Sequence, residues 1–180
     1  RSFPTSRVDG LPPSRVTPYK DEDLKRIARE REVKNIGFSS RADLAGFASD
    51  WRWPLERFRV SSEWGAQRIL NGTAQRPHYG IDLAAPTGTT IRAPADGLVT
   101  LAESDLFFEG GLVLIDHGQG LISAYLHMSR VDVKAGQRVA AGDTLGAVGA
   151  GGRATGPHLC WRLRWRGNNL DPSLLAGPRP

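Results

Sequence analysis

A mostly β body, preceded by an arm and one helix, is the fold that this chain of 180 residues predicts. Three observations lead there. After Trp51, closely spaced glycines and prolines (21 and 12 in the whole chain) cut the sequence into short apolar runs, the punctuation of strands and turns rather than of a helical bundle. The segment HLCWRLRWR alternates, so that as a strand it puts His158, Cys160, Arg162, Arg164 and Arg166 on one face and Leu159, Trp161, Leu163 and Trp165 on the other. A charged stretch near residues 18–35 is the one segment that reads as a helix. The length suits one domain with a real core plus an appendage.

The elements follow in order. Residues 1–16, RSFPTSRVDGLPPSRV, are polar and proline-rich with no apolar period, and read as an extended arm. Thr17 suits an N-cap and Pro18 the first helical position, with Asp21, Glu22 and Asp23 early, where the helix dipole favours them. Leu24, Ile27, Ala28 and Val33 make a partial apolar stripe, and Asp21/Lys25, Glu22/Arg26 and Glu30/Lys34 are spaced as exposed pairs. This helix is expected to pack or link, without chemistry, so residues 1–50 form an N-terminal arm and helix and residues 51–180 the body. WRWPL reads as an entry segment. The loop RILNGTAQRP before His78 is either a wall of a substrate groove or an ordinary hairpin tip. ESDLFFEGG either walls the same cleft or sends Phe107 and Phe108 into the core. His117, in a turn after the apolar run LVLI, is expected to be a structural hydrogen-bonding residue. In ISAYLHMS, alternation groups Ser123, Tyr125, His127 and Ser129 on one face, polar company that favours a site for His127.

Composition narrows the function. The formal net charge of +5 favours an anionic partner, but the basic residues are scattered and no nucleic-acid module appears. No apolar stretch approaches a membrane span. The chain opens at Arg1 without a signal-peptide pattern, so any export signal or anchor is expected upstream. One cysteine cannot form an internal disulfide. The chemistry concentrates in HYGID and HLCW, where His78, Asp82 and Cys160 would supply imidazole, carboxylate and thiolate, a three-ligand zinc set that leaves a fourth position for water. Arg162 and Arg164, on the same face as Cys160, are placed to hold a substrate carboxylate through forked hydrogen bonds, or else form a solvated strand face.

H-x-x-x-D at His78 and Asp82, followed far downstream by H-x-C at His158 and Cys160, resembles the H-x-x-x-D and H-x-H signature of the lysostaphin-type, or LytM-like, zinc metallopeptidases of bacterial cell walls. The resemblance extends through WRWPLERFRVSSEWGAQR, RPHYGIDLAAPTGTTIRAPADGLV, LIDHGQGLISAYLHMS, VKAGQRVAAGDTLGAVG and GRATGPHLCW. It implies an antiparallel β-sheet sandwich or barrel-like domain. It also implies His78 and Asp82 as zinc ligands, His158 and His127 as catalytic histidines, and peptidoglycan stem or cross-link peptides as substrate in the periplasm or cell envelope. Cys160 departs from the pattern, standing where a third histidine ligand is expected. A thiolate is a good zinc ligand, but it lowers the charge of the centre by one, which predicts a less acidified water and a pH optimum shifted upward.

Two other classes compete. LytM-like domains that have lost ligands can serve as zinc-free activators of other cell-wall hydrolases, although here His78, Asp82, His127 and His158 all remain. VKAGQRVAAGDTLGAVG has the turn-and-strand rhythm of biotinyl or lipoyl carriers, but Lys134 is not in a modifiable hairpin motif, and shared β architecture explains the rhythm.

Overall fold

The computed structural model describes residues 3–180. The arm is only partly extended. Its strand β1 (Thr5–Val8) and a single helical turn α1 (Pro13–Val16) lead to helix α2 (Asp21–Phe38). Then come β2 (Arg59–Ser62), β3 (Gln67–Leu70), β4 (Thr73–Ala74), β5 (Ile81–Ala84), β6 (Thr90–Arg92) and β7 (Gly97–Leu106). β8 (Gly110–Asp116), β9 (Leu121–Val131), β10 (Arg138–Val139), β11 (Thr144–Val148), β12 (His158–Trp165) and β13 (Asn168–Leu170) complete the chain. Ten strands form one sheet, whose main path runs β10-β7-β8-β9-β12-β5-β2 with every pairing antiparallel. The arm's β1 joins β3 in parallel to make a smaller sheet with β4.

The larger core packs Leu159, Trp161 and Leu163 of β12 with Ile81, Leu83, Ile91, Val113, Ile115 and Tyr125, as the alternation of β12 predicts. Trp165, expected on that apolar face, is instead 46% exposed, because β12 ends there and Arg166 turns the chain at φ 46°. The opposite face packs Leu101, Leu112, Leu114, Ile122, Ala124 and Leu126 around Cys160.

Helix α2 starts three residues later than expected. Thr17, extended as a residue before proline tends to be, caps α1 through a bond from its N–H to Pro13 O, and Lys20 takes the N-cap position. Leu24 and Val33 of the expected stripe face solvent. The helix docks instead through Arg26 to Asp105, Glu30 to the Phe107 N–H, Lys34 to Glu109, and Gly37 against Leu101 and Leu114. Glu30 and Lys34 each turn to the body rather than to one another, and Arg26–Glu30 is the ion pair that forms along the helix.

RILNGTAQRP is a hairpin whose tip, Asn71-Gly72, has positive φ at both residues, as a two-residue turn of mirror-image type requires. Phe107 is buried, with the Arg15 guanidinium over its ring at 4.2 Å. His117 is structural, as expected. Its Nδ1 donates to Asp96 O at 2.8 Å, and Nε2 accepts from Ser123 Oγ at 2.7 Å, which in turn meets Tyr125 Oη at 2.8 Å. Burial lowers the His117 pKa from 6.5 to about 4, against smaller raising effects of the Asp96 carbonyl and nearby carboxylates. The unfolded chain therefore takes up this proton first. The resulting stabilisation is full above pH 6.5 and is lost as pH falls toward 4, a change of roughly 3 kcal/mol. Urea unfolding across that window should show a shallower acid limb in His117→Gln than in the unmodified protein, whatever the absolute loss of stability.

Candidate metal centre

Strand register assembles the site. β12 lies between β5 and β9, with Cys160 opposite Asp82 on one side and Leu126 on the other, and His158 opposite Ala84. His78 enters just before β5. Its Nε2 lies 3.2 Å from Cys160 Sγ and 3.3 Å from Asp82 Oδ1, and the candidate ligand atoms of His78, Asp82 and Cys160 all fall within 4.8 Å of one another. Ser62 Oγ, 3.3 Å from His78 Nδ1, fixes the ring from behind.

His127 reaches this cluster by a route that alternation does not predict. Gly111 faces Met128 and the next residue, Leu112, faces Leu126, so His127 is an extra residue in β9. Its φ of 67° marks a bulge that re-aims the side chain. Tyr125 and Ser123, its expected companions, point into the larger core, whereas the His127 ring lies 4.7 Å from that of His158 on the Cys160 side. Gly110, at φ 63°, lets the bulge close, because a Cβ there would lie 2.6 Å from the Gly151 carbonyl carbon. The Gly151 carbonyl oxygen in turn accepts from His127 Nδ1 at 2.9 Å. His158 is held alike, Nδ1 donating to Gly156 O at 2.9 Å. Since a carbonyl only accepts, each Nδ1 carries a proton, which in a neutral ring leaves the lone pair on Nε2.

Burial dominates the electrostatics. It holds His78 far below the ordinary 6.5, aided by Arg68, Arg162 and the other two histidines. It lowers His127 well below the same value, with His158 next in effect. Both rings are therefore neutral near pH 7, as ligation and proton acceptance require. Burial pushes the Cys160 thiol up to about 11, Asp82 adding to the effect and Arg162 and Arg68 opposing it.

Three arginines border the cluster. Arg68 pairs with Asp82 Oδ2, Arg162 Nε donates to Cys160 Sγ at 3.3 Å, and burial, then Arg162 and Arg68, lower the Arg153 pKa. Arg164, the other arginine read as a carboxylate holder, lies outside the cluster, 5.0 Å above the Phe38 ring of α2. Arg68, Arg153 and Ser62 carry no sequence signal that singles them out as site residues. Arg68 lies inside the block SSEWGAQR that carries part of the resemblance, but neither spacing nor alternation ties it to Asp82.

The donor set fits a divalent metal. Asp82 Oδ1 is buried with no hydrogen-bond donor among the described residues, an orphan that a cation would satisfy. Gly80 leaves the space open, for a Cβ there would lie 3.1 Å from both Sγ and His78 Nε2. Neutral imidazole, carboxylate and thiolate are zinc donors.

A buried imidazole, His127, and a partly buried one, His158, thus stand beside a set of metal donors on an antiparallel sheet. The model of peptidase family M23 matches residues 76–172, and the chain belongs to that family. It is 40% identical over 129 residues to the peptidoglycan DD-endopeptidase ShyC of Vibrio cholerae, a match covering 71% of this chain and 30% of that protein. This chain thus spans about three-tenths of the length of that relative. A putative peptidase M23 from Pseudomonas aeruginosa superposes with a TM-score of 0.77 at 40% identity, over 88% of this chain and 64% of that one. A zinc-containing peptidase from Vibrio cholerae gives 0.63 at 29% identity, over 68% and 39%. These findings bear out the family resemblance and the mostly β fold.

Gly80→Ala would press a methyl group into the cluster. Zinc affinity, measured by chelator competition, should fall by about tenfold or more while the metal-free protein still folds, since the added Cβ meets ligand atoms and the Arg162 stem rather than backbone.

Proposed function

We propose that this domain is a zinc metalloendopeptidase that hydrolyses peptide bonds of peptidoglycan stem or cross-link peptides in the bacterial cell envelope. The convergence of His78, Asp82 and Cys160 beside His127 and His158 is the observation that carries the reading. Zinc, held by those three residues, would polarise the scissile carbonyl and acidify the attacking water. The protein's own part is to position and to move protons. Of His158 and His127, one takes the proton of the water at Nε2 as general base and the other steadies the developing oxyanion. The backbone bonds at each Nδ1 fix both rings for this work.

The substrate class is supported by charge as well as by the name of the ShyC relative. A groove of about 330 Å³ beside Asp82 and His158 is lined by Arg7, Arg59, Arg68 and Arg153, and a second groove adjoins it at Arg76 and Arg162. Wall peptides carry carboxylates, which guanidinium forks hold well. Ser6 and Arg7 of the arm form part of the first groove's wall, so the arm reads as part of the binding surface.

A second reading, a zinc-free regulator of another cell-wall hydrolase, draws on a specific observation. Arg68 on Asp82 and Arg162 on Cys160 give two of the three donors a partner within the protein. Incubation of the zinc-supplied protein with cross-linked muropeptides separates the two, since the enzyme should release new amino termini and the regulator should release none. His127→Ala and His158→Ala should each lower the rate by on the order of 10²-fold or more, with zinc content retained because neither is a ligand. Equal rates in all three proteins would contradict the assignment of these histidines.

A further inference from the structure

Cys160 and Arg162 stand two residues apart on β12 and share a face, and strand geometry alone brings them together. Arg162 Nε donates to Cys160 Sγ at 3.3 Å. The contact has room because residue 80 is glycine, since a Cβ there would lie 2.8 Å from Arg162 Cγ as well as 3.1 Å from Sγ. A guanidinium is thus seated against a candidate ligand atom of a cation site, a placement that Coulomb repulsion opposes unless the ligands supply enough negative charge.

The donor set supplies it. Asp82 and a Cys160 thiolate together balance a divalent cation, with His78 neutral, so the loaded cluster carries no net charge and does not repel Arg162. A neutral imidazole at position 160 would leave the cluster positive and set it directly against the guanidinium. We propose that Cys160 and Arg162 act as one charge-matched unit, in which the thiolate makes the guanidinium tolerable beside the metal and the guanidinium tempers the thiolate. By donating to sulfur, Arg162 draws electron density from the ligand and returns the positive charge that the thiolate removes. Arg162 is therefore a positioning residue that acts through Cys160. The upward shift of pH optimum expected of a thiolate alone is correspondingly reduced. Arg68 on Asp82 and Arg153 nearby also face the cluster, but they are unchanged by substitutions at 160 and 162.

The inference rests on the zinc reading, and cobalt(II) separates the two because a thiolate bound to cobalt gives a charge-transfer band in the near ultraviolet. Four proteins are loaded with cobalt: unmodified, Arg162→Met, Cys160→His and the double variant, with Arg162→Lys as the charge-retaining control and Arg162→Gln in reserve should Arg162→Met fail to fold. Loss of the N–H donor in Arg162→Met should move the band to longer wavelength, and Arg162→Lys should move it less. In chelator competition, Arg162→Met should tighten cobalt binding by about tenfold or more in the Cys160→His background and by less than about threefold in the Cys160 background. A band that stays in place, together with equal affinity changes in both backgrounds, would overturn the pairing while leaving the metal site intact. Absence of any thiolate band in the unmodified protein would overturn the zinc reading and the pairing with it.

Discussion

The site depends on one constraint, the register of β12 between β5 and β9. Cys160 sits opposite Asp82 on one neighbour and beside the bulge that presents His127 on the other. A slip of one residue would send Cys160 and His158 into the larger core and bring Leu159 and Trp161 to the site face. That core therefore enforces the chemistry. Trp161, Leu159 and Leu163 are almost fully buried on the opposite face, and their burial is the free energy that holds the ligand face in place.

A second constraint is electrostatic. Burial keeps His78 and His127 neutral, the state in which an imidazole accepts a cation or a proton, and raises the Cys160 thiol, so that the thiolate forms when a cation displaces its proton. Arg68 and Arg162 occupy Asp82 Oδ2 and Cys160 Sγ, and Asp82 Oδ1 remains a buried acceptor without a donor among the described residues. The same groups thus order the site and attract anions to the grooves beside it.

Much of this was legible in the sequence wherever a short-range rule applied. Alternation assigned both faces of β12 from His158 to Leu163, and the apolar run before His117 placed that ring in a structural turn. The rules failed where an extra residue or a distant partner decided the outcome. One inserted residue at His127 reverses its face, and no periodicity shows an insertion. Leu24 and Val33 of the α2 stripe face solvent because polar anchors at Glu30 and Lys34 dock the helix, and their partners lie 75 or more residues away in the chain. Arg68 belongs to the site only because the chain at Gly65 and Ala66, just before β3 of the smaller sheet, hydrogen-bonds to the His78 backbone and brings the Arg68 side chain to Asp82.

Whether Cys160 holds a metal is the point on which the whole account turns. The most direct test is elemental analysis of purified protein, unmodified beside Cys160→Ser. The account predicts about one zinc per chain in the unmodified protein and its loss or strong reduction in the variant. No zinc in the unmodified protein, even after resupply, would contradict it and leave Asp82, Arg68 and Arg162 as parts of a site that never binds metal.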